Sequence, residues 1–311
     1  MNDLHTAAED YLAVRRAVGF KLDHVEHLLF EFVEFMRAKG ATRVSCELAL
    51  RWATRPADAS PGWWRSRLCV ARCFARYLSA FDPSTEIPPT DLLPRFNGGS
   101  SRATPYLYSD GEIAALMTAA RSTRALLTAA TCETLIGLLT VTGMRVGESL
   151  RLDRDDLDDE RGLLVVRHSK FDRSREVPLH DSALDALHRY GRIRDQRFPT
   201  PRTPSFFVSR TGGRISYRTM NWHFDRLVRK AGLRPRSDRG RPRMHDLRHR
   251  FACITLEEWY DAGVDVQPLL PLLSTYLGHI DPNSTYWYLS DQPRLMAGAA
   301  RRLEATLTVP S

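Results

Sequence analysis

The sequence predicts a mainly α-helical protein with a small β-sheet, arranged as two domains. Apolar residues recur at helical spacing along most of the chain, whereas residues 162–179 change to a β pattern. Residues 82–105 are rich in proline and contain Asn97-Gly98-Gly99-Ser100-Ser101, a composition typical of a linker. We therefore expect a helical domain over residues 1–85, a linker over 86–105 and a second domain over 106–311.

The first domain is predicted to be a small bundle of helices. Asp23 is expected to cap a helix that ends near Gly40, and Ser45 to open the next one. A further helix is predicted from Pro61 to about Phe81. It carries arginines on a shared side, which indicates either a DNA-clamping face or a solvated one: Arg65, Arg72 and Arg76.

The second domain is predicted to alternate helices with one hairpin. Ser109 to Glu112 forms a capping box at the start of a helix that carries Ile113, Leu116 and Met117. A second helix is predicted over about 123–141 and ends at Gly143. The hairpin joins a strand at Leu163 to Val166 with a return strand that begins at Glu176. The remaining expected elements are a helix capped by Asp181 and reaching Arg194, a short strand at Phe206–Val208, and helices over 216–231, 249–260 and 268–277.

Composition limits the classes of partner and compartment. The 311 residues carry 45 basic and 37 acidic side chains, a net charge of +8, which favours a polyanionic partner. Cys69 and Cys73 are interpreted as buried small apolar residues and not as half of a zinc site. The five cysteines show no paired spacing, and no signal peptide or membrane span is found, so we expect a cytoplasmic protein.

The segment from Met244 to Leu289 carries the clearest chemistry. His245 and Arg248 are three residues apart, which places them on one face of a helix. His279 follows Gly278, and Tyr288 comes nine residues later. An arginine guanidinium can bind two phosphate oxygens, the two imidazoles can donate hydrogen bonds or move a proton, and the tyrosine hydroxyl can act as a nucleophile. The segment therefore favours phosphoryl transfer.

Two further stretches add cations to this set. The block from Thr142 to Glu148 contains Arg145, and Lys170 lies in the turn of the predicted hairpin. The alternative for Arg145 is a surface salt bridge with the acidic run Asp153 to Glu160. A loop just before His245 is rich in arginine and suits contact with a phosphate backbone through Arg239, Arg241 and Arg243.

Taken in order, these residues resemble the tyrosine recombinases of the phage integrase family. The chain has T-G-x-R-x-x-E with Arg145 and Glu148, then Lys170, H-x-x-R, L-G-H and the spaced tyrosine. The matches cover about the last two-thirds of the chain. The resemblance implies a SAM-like helical core-binding domain at the N-terminus and a mixed α/β catalytic domain after it.

The resemblance also implies a role for each residue. Tyr288 would be the nucleophile that forms a 3′-phosphotyrosyl bond, Lys170 would protonate the leaving 5′-oxygen, and Glu148 would support the site. The phosphate would be held by Arg145, Arg248, His245 and His279. No metal, ATP or other cofactor is expected, and the implied partners are double-stranded DNA, a synaptic tetramer of the chain and an accessory recombinase or DNA-bending protein.

Other interpretations stay open from the sequence. Tyr286 is the second choice of nucleophile, and Tyr276 is interpreted as core packing beside Leu277. A DNA-binding accessory factor without catalysis would need the basic faces alone. A metal-dependent nuclease would use the histidines, and a type IB topoisomerase would share the tyrosine chemistry.

Overall fold

A computed structural model describes residues 3–20, 22–93, 105–167, 174–236 and 240–279 of the chain. The chain divides into two compact units, Met1–Ser101 and Arg102–Ser311. Helices dominate both units, and a single three-stranded sheet lies in the second among the described residues. The predicted fold class is therefore confirmed, while the linker bounds stay a prediction.

The first unit contains four described helices around an aromatic core. Ser45 and Ser60 cap the last two through hydroxyl groups that accept backbone N–H bonds. Phe32 and Trp52 are fully buried, with ring centroids 4.9 Å apart. The helices are α1 (Leu4–Ala17), α2 (Asp23–Ala38), α3 (Cys46–Thr54) and α4 (Pro61–Leu78).

Two expectations for this unit are wrong. Asp23 is the first residue of α2, and its N-cap is Leu22, which makes no side-chain cap bond. Cys69 is exposed and Cys73 only half-buried, because α4 turns a neighbouring face inward. Arg67 occupies that buried face, where its guanidinium bonds Glu31 and stacks 4.0 Å above the Trp52 ring.

The second unit is built on α6 (Leu126–Thr142), which is apolar on nearly every side and packs against five other described helices. Its antiparallel sheet has the order β1-β2-β3, and Val166 pairs with Arg175 next to the hairpin turn. The elements are α5 (Asp110–Arg121), α6 (Leu126–Thr142), α7 (Val146–Arg151), β1 (Leu157–Asp158), β2 (Leu163–Val166), β3 (Arg175–Pro178), α8 (Asp181–Arg197), α9 (Tyr217–Lys230), α10 (His245–Asp261) and α11 (Leu270–Leu277).

Two local predictions in this unit also need correction. Phe206 to Val208 is not a strand, because only isolated bridges form there, one at the preceding Ser205 and one at Val208. The three side chains of the segment are buried. Asp181 does not cap α8, since His180 takes that position and its ring nitrogen accepts the Ser182 N–H. The capping box at Ser109 and the hairpin strands are as predicted.

The end of the described chain is held by a small apolar cluster. Leu270, Leu273 and Leu277 of α11 pack against Ala252 and Leu256 of α10. Gly278 then takes a left-handed conformation, with φ of 69°, and turns the chain toward His279. Among the described residues, no helix has the length and apolar character needed to cross a membrane.

Candidate active site

Arg145 owes its position to the turn that ends α6. Gly143 has φ of 59°, and a Cβ placed there would lie 2.4 Å from a ring carbon of Phe251. Only glycine fits this left-handed, crowded point. The chain reverses there, so Arg145 becomes the N-cap residue of α7.

The Arg145 guanidinium joins two distant segments. Its Nη1 donates to Oε1 of Glu148 at 2.7 Å, and its Nη2 donates to the carbonyl oxygen of Gly278 at 2.7 Å. The Arg145 side chain keeps 29% of its surface exposed, whereas Glu148 keeps 2%. The arginine therefore lies at the surface of the site, and the carboxylate behind it is buried. The predicted alternative, a salt bridge from Arg145 to the run Asp153–Glu160, is not formed among the described residues.

Arg248 lies behind these groups on the first turn of α10. It is 2% exposed, and its Nη1 and Nη2 donate to the carbonyl oxygens of Gly143 at 2.8 Å and Leu277 at 2.7 Å. One buried cation thus fixes the turn before Arg145 and the turn before His279. The three motifs that lie far apart in the sequence converge at this side chain.

The histidines experience the charge of these arginines. Loss of hydration, followed by the positive charges of Arg248 and Arg145, lowers the pKa of His279 to about 3. Reduced hydration and the nearby guanidiniums also lower the pKa of His245, although the residue keeps contact with solvent. Both imidazoles are therefore neutral at pH 7 in the free protein, and the site has a positive potential.

A third histidine belongs to the same cluster. His249 meets His245 edge to face, with ring centroids 5.0 Å apart. Burial, followed by its ionisable neighbours, lowers the pKa of His249 to about 3. The sequence analysis did not select His249, although it directly follows Arg248 on the same helix.

Arg175 is a second site residue that the sequence analysis missed. It opens β3, and its Nη2 donates to Oε2 of Glu148 at 2.8 Å. Burial alone would raise the pKa of Glu148, but Arg175 and Arg145 lower that pKa to about 2. The alternation of the strand was a usable signal, since Arg175 shares a face with the fully buried Val177.

Several predicted site residues fall outside this description. Lys170, Arg239, Tyr286 and Tyr288 lie outside the described residues. Tyr276 stacks on Phe251 at a centroid distance of 5.6 Å, as expected for core packing. Among the described residues, no cluster of three or more His, Cys, Asp or Glu side chains has the arrangement of a metal site.

The arginines predicted to contact DNA have different environments. Arg65, Arg76 and Arg241 are exposed. Arg72 donates to the carbonyl oxygens of Pro88 and Pro89, and Arg243 pairs with the buried carboxylate of Asp246. Their role in DNA binding stays a prediction.

Comparison with known proteins agrees with this arrangement. The profile of the phage integrase family matches residues 107–294. The protein y4rB of Sinorhizobium fredii, whose name classes it as an integrase/recombinase, is 43% identical over 310 residues, 98% of each chain. The tyrosine recombinase XerC of Azotobacter vinelandii is 33% identical over 156 residues, 50% of this chain and 46% of XerC.

A solved structure shows the same fold over nearly the whole length. The Tn1549 transposon integrase, in complex with transposon right end DNA, has a TM-score of 0.64 at 15% identity and covers 96% of this chain and 98% of that one. The chain therefore belongs to the phage integrase family of tyrosine recombinases, as the sequence predicted.

Proposed function

We propose that the chain is a site-specific recombinase that cuts and rejoins double-stranded DNA through a phosphotyrosyl bond at Tyr288. The convergence of Arg145, Arg248, His245 and His279 supports this proposal most directly. These residues come from three separate segments and form a positive site that is suited to a phosphodiester.

The proposed cleavage is an in-line substitution at phosphorus. The hydroxyl oxygen of Tyr288 attacks the scissile phosphorus and forms a P–O bond, while the bond from phosphorus to the 5′-oxygen breaks. His245, neutral in the free protein, accepts the tyrosine proton, and Lys170 donates a proton to the leaving 5′-oxygen. The 3′-phosphotyrosyl bond keeps the energy of the phosphodiester, so the reverse step rejoins DNA without ATP or a metal ion.

The arginines act on the charge of the transition state. Arg145 is the more exposed and would contact a non-bridging oxygen, whereas the buried Arg248 adds charge from behind and fixes both turns. His279 would donate a hydrogen bond to the phosphate. Loss of one such group is expected to raise the barrier by about 3 kcal/mol.

The partners follow from the same chemistry. The Tn1549 integrase structure contains transposon end DNA, which supports a duplex DNA partner and a mobile element as the source of the substrate. We propose assembly of several copies on DNA as a synaptic tetramer, with an accessory recombinase or DNA-bending protein as a further partner. Because the proposed substrate is DNA, we also propose that the chain acts in the cytoplasm with the nucleoid.

Covalent trapping tests this function. Nicked duplexes that tile the DNA on both sides of the gene are incubated with the protein in EDTA, and adducts that survive SDS but not protease are scored. We expect an adduct with the wild type and with Tyr286→Phe, and none with Tyr288→Phe. Loss in Tyr286→Phe alone would move the nucleophile to Tyr286.

Other outcomes would favour the alternative functions. DNA binding without an adduct from any duplex would contradict the proposal and favour an accessory factor. Cleavage that requires a divalent cation and leaves no covalent protein would favour a nuclease. If the protein relaxed supercoiled DNA of any sequence, and if this activity required Tyr288, a topoisomerase would be favoured.

A further inference from the structure

The buried carboxylate of Glu148 is shared by two arginines. Oε1 accepts from Nη1 of Arg145 at 2.7 Å, and Oε2 accepts from Nη2 of Arg175 at 2.8 Å. Oε2 also accepts the backbone N–H of Arg145 at 3.1 Å. Two guanidiniums and one carboxylate leave this group with an excess of one positive charge.

Arg175 makes fewer bonds than its burial would suggest. Its side chain is 13% exposed, and within the described part of the chain its Nε and Nη1 atoms are buried without a hydrogen-bond partner. Buried guanidinium groups that lack acceptors lower stability, and such unfavourable arrangements are expected mainly at functional sites. The residue therefore needs an explanation beyond anchoring a strand.

The position of Arg175 relates it to the phosphate-facing part of the site. A Cβ placed on Gly278 would lie 3.1 Å from Nη1 of Arg175 and 3.3 Å from Nη1 of Arg145. The two guanidiniums thus approach the same glycine, next to His279. The unbonded atoms of Arg175 are closed to solvent, whereas the Arg145 side chain is partly exposed, so we expect DNA to contact Arg145 and not Arg175.

We propose that Arg175 is a positioning residue that keeps Glu148 from pairing with Arg145 through both carboxylate oxygens. An isolated arginine and carboxylate prefer the bidentate pair. With Arg175 on Oε2, Glu148 holds only Nη1 of Arg145, and Nη2 stays bonded to the Gly278 carbonyl. Without Arg175, the guanidinium of Arg145 would rotate onto Glu148, and its charge toward the phosphate would be neutralised. This inference rests on the proposed function.

The test uses the duplex that gives an adduct with the wild type, in three chemical forms. One has the ordinary phosphodiester, one has an uncharged methylphosphonate, and one has sulfur in place of the leaving 5′-oxygen. A methylphosphonate needs less cationic stabilisation, whereas a thiolate leaves without a proton. The forms therefore separate variants that lose charge stabilisation, such as Arg145→Ala, from those that lose the leaving-group acid, such as Lys170→Ala.

We expect Arg175→Ala to slow cleavage of the ordinary duplex about 100-fold, the effect of a small misplacement of a reacting group. The Arg175→Ala rate should recover on the methylphosphonate, which is also the result expected for Arg145→Ala. It should not recover on the sulfur form, whereas recovery on that form is expected for Lys170→Ala. Arg175→Lys should retain an intermediate rate. The matched control is Arg161→Ala, because Arg161 pairs with Glu176 on the exposed side of the same hairpin.

Three results would overturn the proposal. They are a wild-type rate for Arg175→Ala, equal slowing on all three duplexes, and recovery only on the sulfur form. The last would mean that Arg175 acts through the hairpin that carries Lys170.

A measurement without DNA separates failure of this inference from failure of the proposed function. In urea unfolding, Arg175→Ala should lower the midpoint in the wild-type background, because Glu148 loses a partner. In the Glu148→Gln background it should raise the midpoint, because it removes a repelling cation. Equal shifts in the two backgrounds would show that Arg175 and Glu148 are not coupled, and would overturn the inference whether or not an adduct forms.

Discussion

The turn at Gly143 gives a test of how the site is built. Replacing Gly143 by alanine introduces two separate costs. An L-residue in the left-handed region costs about 1 to 2 kcal/mol. The new methyl group would also lie 2.4 Å and 2.9 Å from ring carbons of Phe251 and 3.1 Å from Cδ2 of Leu277. Overpacking of this kind costs about 1 to 3 kcal/mol, so Gly143→Ala is expected to lose about 2 to 5 kcal/mol in total.

A second glycine of the same unit separates these costs. Gly232 has φ of 72°, and no described heavy atom lies within 4 Å of a Cβ placed there. Gly232→Ala should therefore carry the backbone cost alone, about 1 to 2 kcal/mol. The difference between the two variants measures the clash with Phe251 and Leu277.

Urea unfolding of the full chain gives the free energy of unfolding of each of the two variants. The transition of the second unit is the one to follow. Adduct formation should fall with Gly143→Ala alone, because the Gly143 carbonyl accepts from Arg248 and the turn sets Arg145. Equal loss of stability in the two variants, to within about 0.5 kcal/mol, would refute the claim that close packing at this turn holds the site.

Two further predictions concern the charges. Glu148→Gln should lower the free energy of unfolding by about 3 kcal/mol, because the largely buried guanidinium of Arg175 and the partly exposed one of Arg145 lose their counter-charge. The exposed Glu176→Gln should change the free energy of unfolding little, and a comparable loss in both variants would contradict the burial argument. In the unfolded chain His279 has its ordinary pKa near 6.5, whereas in the folded chain its pKa is about 3. Between these two values only the unfolded chain binds the proton, so the free energy of unfolding should fall as the pH drops from 6.5 toward 3. His279→Asn should reduce that fall by about 1 kcal/mol between pH 6.5 and 5 in urea unfolding, and an unchanged pH profile would show that the histidine is not shielded from protons.

The sequence was sufficient for the parts of the site that depend on local chemistry. Arg145 with Glu148, and His245 with Arg248, are short-range pairs whose helix positions follow from glycine turns and three-residue spacing. The end of α6 at Gly143 and the turn at Gly278 were predictable for the same reason. The order of the motifs then indicated the family.

The features that the sequence analysis missed depend on partners far away in the chain. Nothing near Arg175 in the sequence shows that its guanidinium bonds Glu148, and nothing near Arg67 shows that it bonds Glu31 and stacks on Trp52. The prediction for Cys69 failed for the related reason that an arginine, and not a cysteine, occupies the buried face of α4. Helical spacing identifies a face, but long-range pairing decides which charged side chain that face can bury.

The arginines of the site have two effects that belong together. Their permanent charge favours a phosphate, and after the loss of hydration the same charge further lowers the pKa values of His245 and His279. A histidine that was already protonated could not accept the proton of a tyrosine nucleophile. The guanidiniums therefore prepare the proposed base as well as the binding site. Glu148 limits this effect because its Oε1 pairs with Arg145 and offsets part of the positive charge. Arg175 occupies Oε2 and so limits how far Glu148 neutralises Arg145.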